Sequence, residues 1–125
     1  MGSGYLLDSN AIIGYLAARI PAAGMKAVAE IVDMVPRMSV ISQIEVLRFE
    51  ENEAILADFV GSSVIHPLSG RIARLTIELC RDSRIKLPDA IIAATARADN
   101  LTLVTGDVGD FRNIPGLRLF NPWEA

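Results

Sequence analysis

Two kinds of apolar run alternate along the chain. Short ones, Tyr5-Leu6-Leu7, Met38-Ser39-Val40-Ile41, Val64-Ile65-His66, Leu101-Thr102-Leu103-Val104 and Leu117-Arg118-Leu119-Phe120, predict strands. Between them apolar residues recur at helical spacing. Residues 11–19 predict an amphipathic helix stopped by Pro21, and residues 23–35 a second, with Val28, Ile31, Val32 and Val35 on one side and Pro36 at its end. A third opens at Ser42-Gln43-Ile44-Glu45 and runs through Phe49; a fourth, over 50–60, is acidic on one side and closed by Gly61. Residues 70–84 carry Ile72, Leu75, Ile77 and Leu79 above a basic face, and Cys80 reads as a small core residue there. The last, Leu87-Pro88-Asp89-Ala90-Ile91-Ile92-Ala93-Ala94-Thr95-Ala96, is almost wholly apolar, as for a helix buried against a sheet. Pro88 marks its first turn, where a missing N–H costs nothing. A loop is expected over 105–110.

Strands that are continuously apolar and alternate with helices imply a mostly parallel sheet covered on both faces, a three-layer α/β/α domain. In such sheets ligands bind beyond the carboxyl ends of the strands. One domain over 5–125 is expected, with Met1-Gly2-Ser3-Gly4 an expression remnant or disordered lead-in.

Composition narrows the chemistry. With 51% apolar and 22% charged residues the chain is not disordered. A net charge of -3 argues against holding nucleic acid by overall field, but leaves room for a local basic groove and suits carboxylates that need a metal. One cysteine excludes an internal disulfide framework and a thiolate zinc cluster. No charged leader with an apolar core and no membrane-length apolar run is present, so a cytoplasmic protein without a membrane anchor is the default expectation.

The strands are nearly free of charge, and acids follow them. Asp8 ends the first strand, Glu45 lies about a helical turn beyond the second, Asp107 and Asp110 sit in the loop after the fourth, and Asp89 opens the helix leading into it. A parallel sheet brings these positions to one edge. Carboxylates converging there repel one another unless a cation lies between them, and hard oxygen ligands suit Mg²⁺ or Mn²⁺. Each acid also has a purely structural reading. Asp8 can cap the next helix, Ser42-x-x-Glu45 can form a capping box, Asp89 can be a first-turn acid, and Asp107 and Asp110 bracket a glycine as turn residues do. Glu50, Glu51, Glu53, Asp58, Glu78 and Asp82 fall on helix faces expected to be solvated.

Four segments, Leu6-Leu7-Asp8-Ser9-Asn10, Ser42-x-x-Glu45, the Leu87–Ala96 stretch and Leu103-Val104-Thr105-Gly106-Asp107-x-x-Asp110-Phe111, resemble the four motifs of a PIN domain, most closely the small VapC-type toxins of toxin–antitoxin pairs. The resemblance covers essentially the whole chain and is most specific in the third motif. It implies a Mg²⁺- or Mn²⁺-dependent ribonuclease acting on RNA, inhibited by a cognate antitoxin and commonly a homodimer. Carried over position by position, Asp8, Glu45 and Asp89 would be the core acids, and either Asp107 or Asp110 the fourth. Asn10 and Thr105 match positions that orient the first and fourth carboxylates.

Substrate grip is assigned to cations near the rim, Arg48, Lys86, Arg97 and Arg112, each of which could equally be solubilising surface charge. His66, before Pro67 at a strand end, reads as structural. Apolar residues on the helices of 11–60 could serve a dimer or the antitoxin. A phosphotransfer fold is the rival enzyme, but it lacks its adjacent acid pair, its Asp-x-Asp, its late lysine and a Walker motif. The rival from another class is a PIN-like module that binds RNA or protein without cutting.

Overall fold

A computed structural model describes residues 4–125; residues 1–3, most of the expected lead-in, lie outside the described residues. Strand β1 (Tyr5–Leu7) pairs in parallel with β4 (Thr102–Val104), and β4 in parallel with β5 (Arg118–Phe120), so β4 is central. Strands β2 (Arg37–Ser39) and β3 (Val64–His66) form a second parallel pair, with β2 packed beside β1. Gly4, expected to precede the fold, takes part in it: its carbonyl accepts the Thr102 N–H at 3.0 Å.

Alternate strand residues face opposite sides of the sheet, which divides the core in two. Leu6 and Leu103 pack with α5 (Gly70–Asp82) and α6 (Leu87–Ala98). Leu7 and Val104 pack with α1 (Ser9–Leu16), α2 (Ala22–Met34), α3 (Val40–Leu47) and α4 (Glu53–Gly61). Helices thus cover both faces, giving the three-layer α/β arrangement that the pattern predicts. Residues 90–96 of α6 are all buried, and their four alanines let neighbouring elements approach closely.

The C-terminus locks the layers together. Trp123, in a 3-10 turn (Pro122–Glu124), lies where a Cβ on Gly14 or Gly106 would come within 3 Å of its ring, and a Cβ on Gly24 would run into the Pro122 carbonyl. Glycine is required there for close approach.

Several boundaries differ from the pattern. Val40 and Ile41 belong to α3, not to β2, because the Ser39 hydroxyl caps the helix by accepting the Ser42 N–H at 3.1 Å. Ser42 is therefore inside the helix, so no Ser42–Glu45 capping box forms. Helix α4 begins at Glu53, after Asn52 turns the chain at φ 57°. The expected 105–110 loop contains a short helix, α7 (Val108–Phe111), pinned by the buried Phe111. Cys80 is exposed and Ile77 half-exposed: the buried stripe of α5 is Ile72, Thr76 and Leu79, and both residues point away from it. His66 bridges Asp99 and Arg37, consistent with a structural role.

Candidate active site

The carboxyl ends of β1 and β4 are adjacent because the two strands are parallel and in register, and the Asp8 N–H extends that ladder to the Val104 carbonyl at 3.0 Å. Asp8 caps α1, its Oδ1 accepting the Ser9 N–H at 2.9 Å, and its side chain is buried. Its Oδ2 accepts from the Thr105 hydroxyl at 2.8 Å. That hydroxyl is fully used, accepting the Asp107 N–H at 3.0 Å and the Asn10 amide at 3.1 Å. Asn10 is fixed by its Oδ1, which accepts the Gly106 N–H at 3.0 Å; its Nδ2 lies 3.0 Å from Asp107 Oδ2 and 3.4 Å from Asp8 Oδ2. Asn10 and Thr105 therefore tie Asp8 to Asp107 across the two strand ends.

Glu45 reaches the same edge from α3, where its Oε1 accepts the Ser9 hydroxyl at 3.0 Å. Asp89 enters from the first turn of α6 and Asp110 from α7. Asp8 and Asp89 feel the neighbouring acids. Burial pushes the Asp8 carboxyl from 3.8 up to about 6, against the pull of the Thr105 and Ser9 hydrogen bonds and with a further push from Glu45 and Asp89. Asp89 is also raised, first by burial, then by Asp110 and Glu45; nearby Lys86 opposes this and Asp107 adds to it. Among the described residues no three acid, imidazole or thiol side chains stand close enough to enclose one ion as they lie. Mutual repulsion acts in that direction. The donors are nevertheless all oxygen, and among the described residues no cationic side chain hydrogen-bonds to any of the four acids Asp8, Glu45, Asp89 and Asp107. That donor set fits a hard divalent cation.

The PIN domain family model matches residues 5–117. The chain belongs to the PIN domain family. Among solved structures, a toxin–antitoxin complex from Klebsiella pneumoniae shares 27% identity at a TM-score of 0.76, covering 98% of this chain and 100% of that one. VapBC2 from Rickettsia felis, bound to a promoter DNA fragment, shares 24% at a TM-score of 0.76, over 94% of this chain and 97% of that one. FitAcB from Neisseria gonorrhoeae shares 24% at a TM-score of 0.67, over 97% and 99%. No curated protein matches the chain in sequence. The fold is thus of the VapC type, as the four motifs imply.

The cations of this PIN domain divide. Lys86, immediately before α6, lines a cavity together with Asp89 and Asp110. Arg97 sits in the last turn of the same helix, away from Asp89 at its start, and lies beside Gly116. Eight helix positions, about 12 Å at 1.5 Å per residue, set it back from Asp89, and it lines a neighbouring cavity with Ser83, Asn113 and Ile114. Arg48 and Arg112 are exposed at the ends of α3 and α7. Sequence reasoning passed over Ser9, whose hydroxyl holds Glu45; its place inside the first motif was the available signal. It also passed over Arg84 and Asn113, which share the Lys86 cavity.

Proposed function

We propose that the chain is a Mg²⁺- or Mn²⁺-dependent endoribonuclease, the toxin of a toxin–antitoxin pair. The observation that carries this reading is the convergence of Asp8, Glu45, Asp89 and Asp107 from separate elements, with Asp8 buried and raised to about 6. Four acids kept together against their repulsion are costly to a fold that does not use them. In this reading Asp8, Glu45, Asp89 and Asp107 hold the cation, and Asp110 borders the phosphate that is attacked. A bound divalent cation supplies two things here: a water made acidic enough to attack phosphorus in line, and charge to offset that developing on the leaving oxygen. The chain's own part is positioning. Asn10 and Thr105 keep Asp8 and Asp107 from spreading apart, Ser9 fixes Glu45, and Lys86 attracts phosphate to the rim.

The relatives' toxin–antitoxin assemblies support a protein partner for this chain as well. A partner arginine placed among the carboxylates would exclude the metal, so a basic peptide is expected to compete with Mg²⁺. Ile44, Leu47 and Ile55 on α3 and α4 and Leu87 at the start of α6 are exposed, and supply apolar surface for such a partner or a homodimer. No helix among the described residues is long and apolar enough to cross a membrane.

The test is turnover. Purified chain, freed of any antitoxin, is incubated with a molar excess of labelled structured RNA in Mg²⁺, Mn²⁺ or EDTA. The proposal expects several cuts per chain with metal and none in EDTA. RNA bound but intact under all three conditions would make this a binding module.

A further inference from the structure

Beside Asp89 and Asp110, a cavity of about 260 Å³ opens between the segment joining α5 to α6 and the segment after α7. Its polar side chains are not equivalent. Ser83 is committed, its hydroxyl donating to the Leu79 carbonyl at 2.8 Å. Arg84, Lys86 and Asn113 make no hydrogen bond or ion pair with the described residues, although two carboxylates line the same cavity. Two cations and an amide without a bonding partner, of which Lys86 feels only the longer-range pull of Asp89, are available to a ligand. The floor is apolar: Ile114 is buried and Ile85 packs against the core.

We infer that this cavity is a subsite for one nucleotide of a single-stranded RNA, next to the bond that is cut. The inference rests on the nuclease reading and adds where the chain binds RNA and which residues discriminate among bases. Each part of a nucleotide finds its complement. Arg84 and Lys86 meet the phosphate, Arg84 with the planar fork suited to bidentate contact. Ile85 and Ile114 meet the face of the base. Asn113, with one acceptor and two donors, meets its hydrogen-bonding edge. The far wall, Asp89 and Asp110, borders the carboxylate site, so a nucleotide seated here delivers its neighbouring phosphate to the acids. A base enters a concave cavity only when unstacked, which selects single strands, loops and bulges over duplex. The size agrees, falling just below the range that takes drug-sized ligands.

The test uses fluorescent single-stranded oligoribonucleotides in Mg²⁺, bound to the full chain carrying Asp8→Asn so that they stay intact, and a randomised RNA pool cut by the chain with Asp8 in place. Arg84→Ala is expected to weaken binding about tenfold and to lower the slope of log affinity against log salt by about 0.7, the signature of one lost phosphate contact. Arg84→Lys restores most of the slope. Asn113→Ala leaves the slope alone and flattens base preference at one position flanking the cut by about fivefold or more. If RNA is cut but neither variant moves affinity, slope or preference, the subsite is wrong while the nuclease stands. If RNA binds with the expected Arg84 affinity and salt dependence but is not cut, the cavity stands as an RNA-binding site and the nuclease reading fails. RNA that does not bind at all overturns the subsite.

Discussion

The buried Asp8 should make this fold more stable in acid than at neutral pH, provided divalent metal is removed. The folded chain holds the Asp8 proton with a pKa of about 6, the unfolded chain near 3.8. Between about pH 4 and 6 the folded state therefore binds more protons, and stability falls as pH rises through that window. At about 1.4 kcal/mol per pH unit the whole effect is about 3 kcal/mol, a large share of the 5–15 kcal/mol typical of a domain. It corresponds to roughly 10 °C in Tm for a chain of this size. Asp89, raised in the same direction, adds to the trend. The assay is urea unfolding in EDTA at steps from pH 7.5 to 4.5, with Asp8→Asn alongside. The asparagine removes the charge but faces the Thr105 hydroxyl with an amide, leaving that hydroxyl's proton without its acceptor at a cost of about 1–3 kcal/mol. Its absolute stability at neutral pH is therefore close to that of the unchanged protein. The pH slope is the decisive readout, and it should nearly vanish in the variant. With saturating Mg²⁺ the sign reverses, because metal and proton compete for the same carboxylate: metal adds stability at pH 7.5 and loses its effect as pH falls through about 6. A metal-free stability that is flat or falls on acidification, or a slope that survives in Asp8→Asn, would refute the reasoning.

Other consequences are as specific. Ser42 is fully buried and its hydroxyl has no hydrogen-bond partner among the described residues, so Ser42→Ala should raise stability by about 1 kcal/mol in thermal melts. Gly24→Ala places a methyl against the Pro122 carbonyl and should lower stability by about 3 kcal/mol or more, accompanied by a change in Trp123 fluorescence. Arg97→Ala, at the far end of α6, should leave RNA cleavage within about twofold, whereas Lys86→Ala should reduce it about tenfold at low salt and less at high salt.

The architecture was legible because each strand is a short uncharged run and each helix repeats its apolar residues. Both signals come from burial, which composition reports directly. Where the reading slipped, a local bond outweighed a propensity. The β-branched Val40 and Ile41 look like strand, yet the Ser39 cap draws them into α3. That shift also turned Glu45 from a candidate capping residue into one that faces Ser9. Cys80 lies one position beyond the buried Leu79, and pattern alone does not separate neighbours at the edge of a stripe. The acids were visible as charges that follow uncharged strands. The hydrogen bonds that tie Asp8 and Asn10 to Thr105 and Asp107 were not, because they connect residues nearly a hundred positions apart. Arg97 and Lys86 carry the same charge in the sequence, and only their places at opposite ends of α6 distinguish them.

The central claim is that the converging carboxylates hold the metal and that this metal cuts RNA. It is tested most directly by measuring Mn²⁺ affinity by calorimetry and single-turnover RNA cleavage on the same preparations of the unchanged chain, Glu45→Gln and Asp89→Asn, each checked for folding by circular dichroism. The account predicts folded variants in which both quantities fall together, cleavage by about a hundredfold or more. Folded variants that bind Mn²⁺ and cut RNA as the unchanged chain does would contradict it.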